Sequence, residues 1–308
     1  MALFGIARVC QGSRRRIIAS AIEHKSVLVP CDRLRKQGFE LVVLPVDAHG
    51  VISLDAAKAE IDGSTALVSV QLANNEVGTI QPIAALASYA REWGALVHCD
   101  AAQAVGKIEV DVDALGVDFL SISAHKLYGP KGTGALYIRK SPAVPQIEPL
   151  AYGGGQEYGL RPGTLNVPGI VGFGEACRIC EESLAVESAR IRALRDELED
   201  LITQRISDIQ INAKGTERLP NTSSITIFGV DAESLAINLE NVALSTSSAC
   251  HSGAIEPSHV LAALGLSRQN ARSTIRIGLG RFTKPGDVDT ACSDISRACT
   301  ELRRIAQP

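Results

Sequence analysis

The sequence predicts an α/β fold, with a mostly parallel central sheet over residues 1–180 followed by a smaller α+β unit over residues 181–308. Three observations carry this. Short apolar runs alternate with helical patterns through the first half of the chain. After Gly169 a long stretch places Leu184, Ile191, Leu194, Leu198 and Leu201 at three- and four-residue spacing with charge between them. Beyond it, short β-branched runs and new helix starts set in. At 308 residues the chain is long enough for two cores.

In order, Arg16–Ser20 reads as a strand, Ser26–Lys36 as a helix stopped by Gly38, and Phe39–Leu44 as the next strand. A short helix over Leu54–Ile61 leads to the strand Ala66–Leu72. Pro82, tolerated in a first turn, opens a helix that runs to Trp93 and is stopped by Gly94. Strands follow at Ala95–Cys99, Val117–Ser121 and Ala135–Ile138. The run of Val117, Phe119, Leu120 and Ile122 lacks clean alternation, which fits a strand buried on both faces of a parallel sheet. The long helix runs from Gly169 to about Arg205 and bridges the two domains. Strands near Ile209–Ile211, Ser223–Phe228, Val242–Leu244 and Ser273–Ile277 then alternate with helices starting at Asp231, Pro257 and Pro285. Asp231 is an acidic helix start, favoured by the helix dipole.

Composition excludes several classes. With 31 basic and 34 acidic residues the net charge is −3, which offers nothing to nucleic acid or to an anionic membrane. No apolar run reaches the roughly 18 residues of a spanning helix, and no basic segment precedes the short apolar start. The expectation is a soluble cytoplasmic protein. Its eight scattered cysteines read as free thiols of a reducing compartment, and Cys177 with Cys180 as two buried thiols of one helix rather than metal ligands.

The polar residues fall at strand ends. Glu23-His24-Lys25 follows the first strand, with Glu23 and Lys25 reading as surface residues. Asn74-Asn75-Glu76 follows Leu72, Asp100 with Gln103 follows Cys99, and Ser123-Ala124-His125-Lys126 follows Ser121. Parallel strands share a carboxyl side, so these groups converge where open α/β sheets bind ligands. A lysine wedged between histidine and leucine there is expected to be partly desolvated, which favours the nucleophilic free amine and Schiff-base chemistry; a solvated loop lysine is the alternative. An amine, a buried acid, an imidazole and hydroxyls in one cleft suit pyridoxal phosphate. Lys126 would take the aldehyde, and Asp100 would keep the pyridine nitrogen protonated. Read alone, Asp100 is equally a helix N-cap, and His24 a solvated histidine at a helix start.

In the second unit, Cys250 lies in Ser245-Thr-Ser-Ser-Ala-Cys-His-Ser-Gly-Ala254, a run of small polar residues that reads as a mobile loop. There a thiol beside His251 can ionise and attack. Arg276 is a charge inside the apolar strand Ser273-Thr-Ile-Arg-Ile277 and needs an anion, either a substrate carboxylate or an internal ion pair.

Ser20-Ala-Ile-Glu-His-Lys25, Ala73-Asn-Asn-Glu-Val-Gly78, Asp100-Ala-Ala-Gln103, the His125-Lys126 pair after Ser-x-Ser-Ala, Tyr152-Gly-Gly-Gly-Gln-Glu157, Leu160-Arg-Pro-Gly-Thr-Leu165 and Ser247-Ser-Ala-Cys-His-Ser-Gly253 occur together. This set resembles the class V, fold type I pyridoxal-phosphate enzymes, and within them the cysteine desulfurases of the housekeeping and nitrogen-fixation group with its longer loop. The resemblance implies that Lys126 binds pyridoxal 5'-phosphate as a Schiff base, that His24 stacks on the ring and takes part in proton transfer, and that Asp100 pairs with the ring nitrogen. It places Gln103 and Asn75 near the phenolic oxygen and the substrate. Ser123, Ala124 and His125 fall at the phosphate, and Thr164 reaches the phosphate of the neighbouring subunit of a homodimer. Arg276 would hold the carboxylate of L-cysteine, and Cys250 would carry the persulfide to an acceptor or scaffold protein of iron–sulfur assembly, leaving L-alanine. Alternatives within the resemblance are another class V carbon–sulfur or carbon–selenium lyase, such as a selenocysteine lyase, and a catalytically silent binding subunit. The resemblance also leads one to expect an N-terminal segment with a Gly-Thr-Glu-Ser-type phosphate turn ahead of Ala2, so the large domain is expected to be N-terminally incomplete.

Overall fold

The computed structural model describes residues 1–10, 12, 14–246 and 258–306. They form two compact units. One comprises Met1–Val46, Val51–Ala73 and Gln81–Leu184, and the other Asp47–Gly50, Asn74–Ile80 and Ala185–Pro308. Asn74, Asn75 and Glu76 therefore belong to the second unit, unlike the polar residues that follow the other strands of the first half.

In the first unit α1 (Ala2–Val9) precedes β1 (Arg16–Ser20), α2 (Lys25–Arg35), β2 (Glu40–Leu44), α3 (Leu54–Glu60), β3 (Thr65–Ser69), α4 (Ile83–Glu92), β4 (Leu96–Asp100), α5 (Val112–Leu115), β5 (Phe119–Ser123) and β6 (Gly134–Ile138). The strands make one sheet in the order β2-β1-β3-β4-β5-β6. All its pairings are parallel except β5 with β6. That exception follows from chain length. The ten residues from 124 to 133 are too few for the crossover a parallel neighbour needs, so the chain folds back on itself. β3 is buried along its whole length and β1 beyond Arg16, whereas edge strand β2 leaves Glu40 and Val43 in solvent. The regular part of β3 ends at Ser69, short of the expected Leu72, yet the N–H groups of Val70 and Leu72 still donate to the carbonyls of His98 and Asp100. Gly94 does end the α4 segment, at φ +66°, where a side chain would be strained.

Helix α6 (Val167–Arg205) is 39 residues long. In the second unit, β7 (Ile209–Ile211), β8 (Thr222–Ile227), α7 (Ala232–Ile237), β9 (Ser245–Thr246), α8 (His259–Ala263), α9 (Arg268–Arg272), β10 (Thr274–Gly278) and α10 (Pro285–Ala306) follow. The antiparallel sheet β7-β8-β10-β9 packs its buried Ile225, Ile227, Ile275 and Ile277 against Ile191, Leu194, Leu198 and Ile202 of α6 and against Val288 and Ile295 of α10. Asp231 caps α7, accepting from the Ser234 N–H at 2.9 Å. The strand expected at Val242–Leu244 is displaced to Ser245–Thr246, because pairing with Arg276 and Ile275 of β10, not the apolar run, selects the strand residues. Helix α9 was not legible in advance. It is a single five-residue piece set by its Ser267 cap. Among the described residues no helix is long and apolar enough to cross a membrane.

Candidate active site

The carboxyl ends of β1, β4 and β5 deliver the polar groups of the first unit. Ser123 is the last residue of β5, and the chain then makes one 3-10 turn, Ala124–Leu127. Ala124 and Leu127 are buried in a cluster with Phe173, Ala176 and Cys180 of α6, while His125 and Lys126 between them are exposed. The turn is thus anchored at both ends and presents the two polar side chains. The expected desolvation of Lys126 is not found: a single turn beyond the last strand residue leaves the side chain in solvent. Gly106 holds the next turn close to the same anchor. At φ +78° a Cβ there would lie 2.8 Å from Cys180 Sγ and 3.0 Å from Leu127 Cβ. Cys180 is buried, as expected, and its thiol points to the Leu127 carbonyl at 3.9 Å, whereas Cys177, expected to be buried with it, is only half-buried.

Asp100 ends β4. Its carboxylate accepts from the Ala102 N–H at 2.9 Å, so the capping reading holds locally. Burial pushes its carboxyl above the usual carboxylate range, opposed by that N–H and by the electrostatic attraction of His24 and Lys126. A half-buried acid near an amine and an imidazole suits a cationic pyridine nitrogen, whose charge would offset the cost of desolvating the carboxylate. The donor set therefore fits pyridoxal phosphate. His24 caps α2: its Nδ1 accepts from the Ser26 N–H at 3.1 Å. Since that N–H can only donate, the neutral ring carries its proton on Nε2. Gln103 is oriented in the same way. Lys107 Nζ donates to both its carbonyl and its Oε1 at 2.9 Å, so the side-chain N–H₂ is what Gln103 can offer elsewhere. Ser123 Oγ and His125 Nδ1 stand 3.2 Å apart, the Ala124 N–H is committed to the Thr133 carbonyl at 3.1 Å, and Thr164 is exposed.

Sequence reasoning missed two buried groups. Glu23, read as a surface residue, is fully buried: the tight turn after β1 directs it inward, where its Oε1 accepts from Ser20 Oγ at 2.5 Å and from the Gln71 N–H at 2.9 Å. His98 lies two residues before Asp100 on the same face of β4, between Ser69 Oγ and Ser121 Oγ, each 2.8 Å away. The signal available was a histidine inside the apolar run Leu96–Cys99. Burial lowers the His98 pKa from 6.5 to about 4. The unfolded chain therefore binds the extra proton first, and stability from this group is complete above pH 6.5 and lost as pH falls through 4. Thermal unfolding followed from pH 7 to 4 is expected to lose on the order of 3 kcal/mol through His98, and His98→Gln, which keeps a donor and an acceptor, should make that acid limb shallower. An identical limb in the variant would show that His98 does not titrate on unfolding.

In the second unit, Arg276 of β10 donates from Nη1 to the Asn75 carbonyl at 2.7 Å and from Nη2 to Ser245 Oγ at 3.0 Å. Neither partner is charged, and among the described residues no ion pair engages Arg276. Ser258 Oγ donates to Glu76 Oε2 at 2.5 Å, beside Asn75. Cys250 and His251 lie outside the described residues.

The family model described as Aminotransferase class-V matches residues 1–290. The chain belongs to this family. A mitochondrial cysteine desulfurase of Arthroderma benhamiae is 44% identical over 99% of the chain and 61% of its own length. The cysteine desulfurase IscS of Pseudomonas aeruginosa LESB58 is 44% identical over 99% of the chain and 75% of its own length. The chain thus spans about three-fifths to three-quarters of these relatives. A solved structure titled NifS-like protein superimposes with a TM-score of 0.88 at 37% identity, covering 97% of this chain and 79% of that one. Within the class-V family the chain groups with cysteine desulfurases, and its mostly parallel sheet is that of the fold type I pyridoxal-phosphate enzymes.

Proposed function

We propose that the chain removes sulfur from L-cysteine, giving L-alanine and a persulfide on Cys250. The observation that carries this is Arg276: a half-buried guanidinium held by two neutral groups, with no carboxylate partner among the described residues, is a receptor for an amino-acid carboxylate. Asn75, bonded to it through its backbone, would lie beside the same substrate. In the first unit, Lys126 would hold pyridoxal phosphate, Asp100 its ring nitrogen, Gln103 its phenolic oxygen, Ser123 with His125 its phosphate, and His24 would pack on the ring. When bound, that group supplies an electron sink for charge developing at the substrate α-carbon. His24, through its Nε2 proton, and Lys126, through its side-chain nitrogen, are the groups that would move protons. The Cys250 thiolate takes the sulfur atom, its S–S bond forming as the substrate C–S bond breaks, and the carbon skeleton is protonated to alanine.

The domain division at residue 180 is part of the same reading, as is a homodimer in which Thr164 faces the neighbour's phosphate. Exposed Tyr152, Tyr158, Val167 and Val171 on either side of Thr164 support the dimer, because apolar surface of that kind favours a second copy. Transfer of the sulfur to an iron–sulfur scaffold protein in the cytoplasm fits the free thiols of the described cysteines. The test is incubation of the chain with pyridoxal phosphate, reductant and L-cysteine. Equimolar alanine and sulfide are expected, and faster turnover of selenocysteine than of cysteine would redirect the reading to a selenium lyase. A loaded protein that forms no alanine would overturn it.

A further inference from the structure

We propose that Glu23 is a positioning residue for His24: its buried carboxyl ties the end of β1 to the chain just past β3 and so fixes where the imidazole stands beside Asp100. This rests on the cofactor-binding role given above to His24 and Asp100. Glu23 is 0% exposed in a stretch whose next two residues, His24 and Lys25, are both exposed. One oxygen, Oε1, gathers Ser20 Oγ from the last residue of β1 and the N–H of Gln71, two residues beyond β3. Gln71 returns the contact, its Nε2 donating to the Ile22 carbonyl at 2.5 Å. The Glu23 side chain and the Ile22 carbonyl just before it are thereby both fixed from the chain past the neighbouring strand, and the next residue along is His24. Its ring is then set by the α2 cap, and it is one of the two side chains that act electrostatically on Asp100.

The groups around Glu23 decide its charge. Facing it are Asp100 and Cys99 of β4 and Cys31 of α2. Burial pushes the Glu23 carboxyl from 4.5 up to about 8, and the neighbouring Asp100 adds to the rise. Burial also pushes Cys31 up to about 12 and Cys99 upward. At neutral pH Glu23 and both thiols therefore keep their protons. Above about pH 8 Glu23 ionises and sets a negative charge beside Asp100.

The experiment is a double-mutant cycle read by cofactor binding rather than turnover. Pyridoxal phosphate is titrated into the parent chain, Glu23→Ala, His24→Ala and the double variant, with the dissociation constant and the visible circular dichroism of the bound cofactor as readouts. Acting through His24, Glu23→Ala should weaken binding about tenfold in the parent and add nothing in the His24→Ala background. A purely structural role would weaken both backgrounds equally, and that result overturns the proposal. Glu23→Gln keeps the Oε1 acceptor and should bind as the parent does at pH 7, but without the change in visible circular dichroism that the parent shows as pH passes 8. A Gln variant that behaves like the Ala variant at pH 7 also overturns it. Should Glu23→Ala fail to fold, Ser20→Ala, which removes the Ser20 hydroxyl as a donor to Oε1, takes its place in the cycle with the same expected non-additivity. A parent chain that takes up no pyridoxal phosphate overturns the proposed function, and this role with it.

Discussion

Replacing Lys126 with alanine is expected to abolish the visible chromophore that pyridoxal phosphate gives on the parent chain and to lower alanine formation on the order of 10³-fold or more. The expectation comes from placement. Lys126 is exposed on a turn whose flanking residues Ala124 and Leu127 are buried against α6, so the amine is free to react while its backbone is fixed. Its charge acts on Asp100, the acid proposed to meet the ring nitrogen. Because the side chain makes no buried contact, the substitution should leave the melting temperature of the cofactor-free chain nearly unchanged, with surface changes of this kind costing about 0.5 kcal/mol or less. Loss of the chromophore with the fold intact therefore separates chemistry from stability. Borohydride reduction of the loaded parent followed by peptide mapping should place the pyridoxyl group on residue 126. A label on Lys25, the first residue of α2, or on Lys131 would move the amine elsewhere.

The parallel core was legible because its strands announce themselves. β1 and β3 to β5 are short runs of Ile, Val, Leu and Phe between helical patterns, and Asp100 and Ser123 were readable at the strand ends for the same reason. Edges were less legible. The return of β6 depends on the length of one connection, and β9 on the partner it meets, neither of which a local pattern encodes. Burial of polar groups was the least legible. Glu23 and Lys25 flank His24 and look alike in sequence, yet a turn that ties Ser20 to Gln71 takes one carboxylate wholly inside and leaves the lysine in water. His98 escaped notice for the opposite reason: a single polar residue in an apolar run counts against neither strand nor core, and only the serines of the two neighbouring strands show how it is satisfied. At Lys126 the sequence suggested a desolvated amine, and the structure shows instead an exposed one on an anchored turn.

Cys250→Ser is expected to preserve the cofactor spectrum and to lower alanine formation from L-cysteine by about a hundredfold or more. The two ends of the segment that carries Cys250 are both tied near the proposed carboxylate receptor. Ser245 pairs with Arg276 in the sheet and accepts from its guanidinium, and Ser258 bonds Glu76, the neighbour of Asn75. A serine hydroxyl has nearly the same size but is a far weaker nucleophile than a thiolate and forms no stable bond to the transferred sulfur, so only the acceptance step is removed. Arg276→Ala is the contrast: it removes the receptor and not the acceptor, and should raise KM for cysteine while leaving the resting spectrum alone. Mass spectrometry of the parent after one turnover should then find 32 Da on the peptide containing residue 250, the mass of one sulfur atom. If the serine variant still forms alanine at near the parent rate, or if the added sulfur maps to another cysteine, Cys250 is not the residue that receives it.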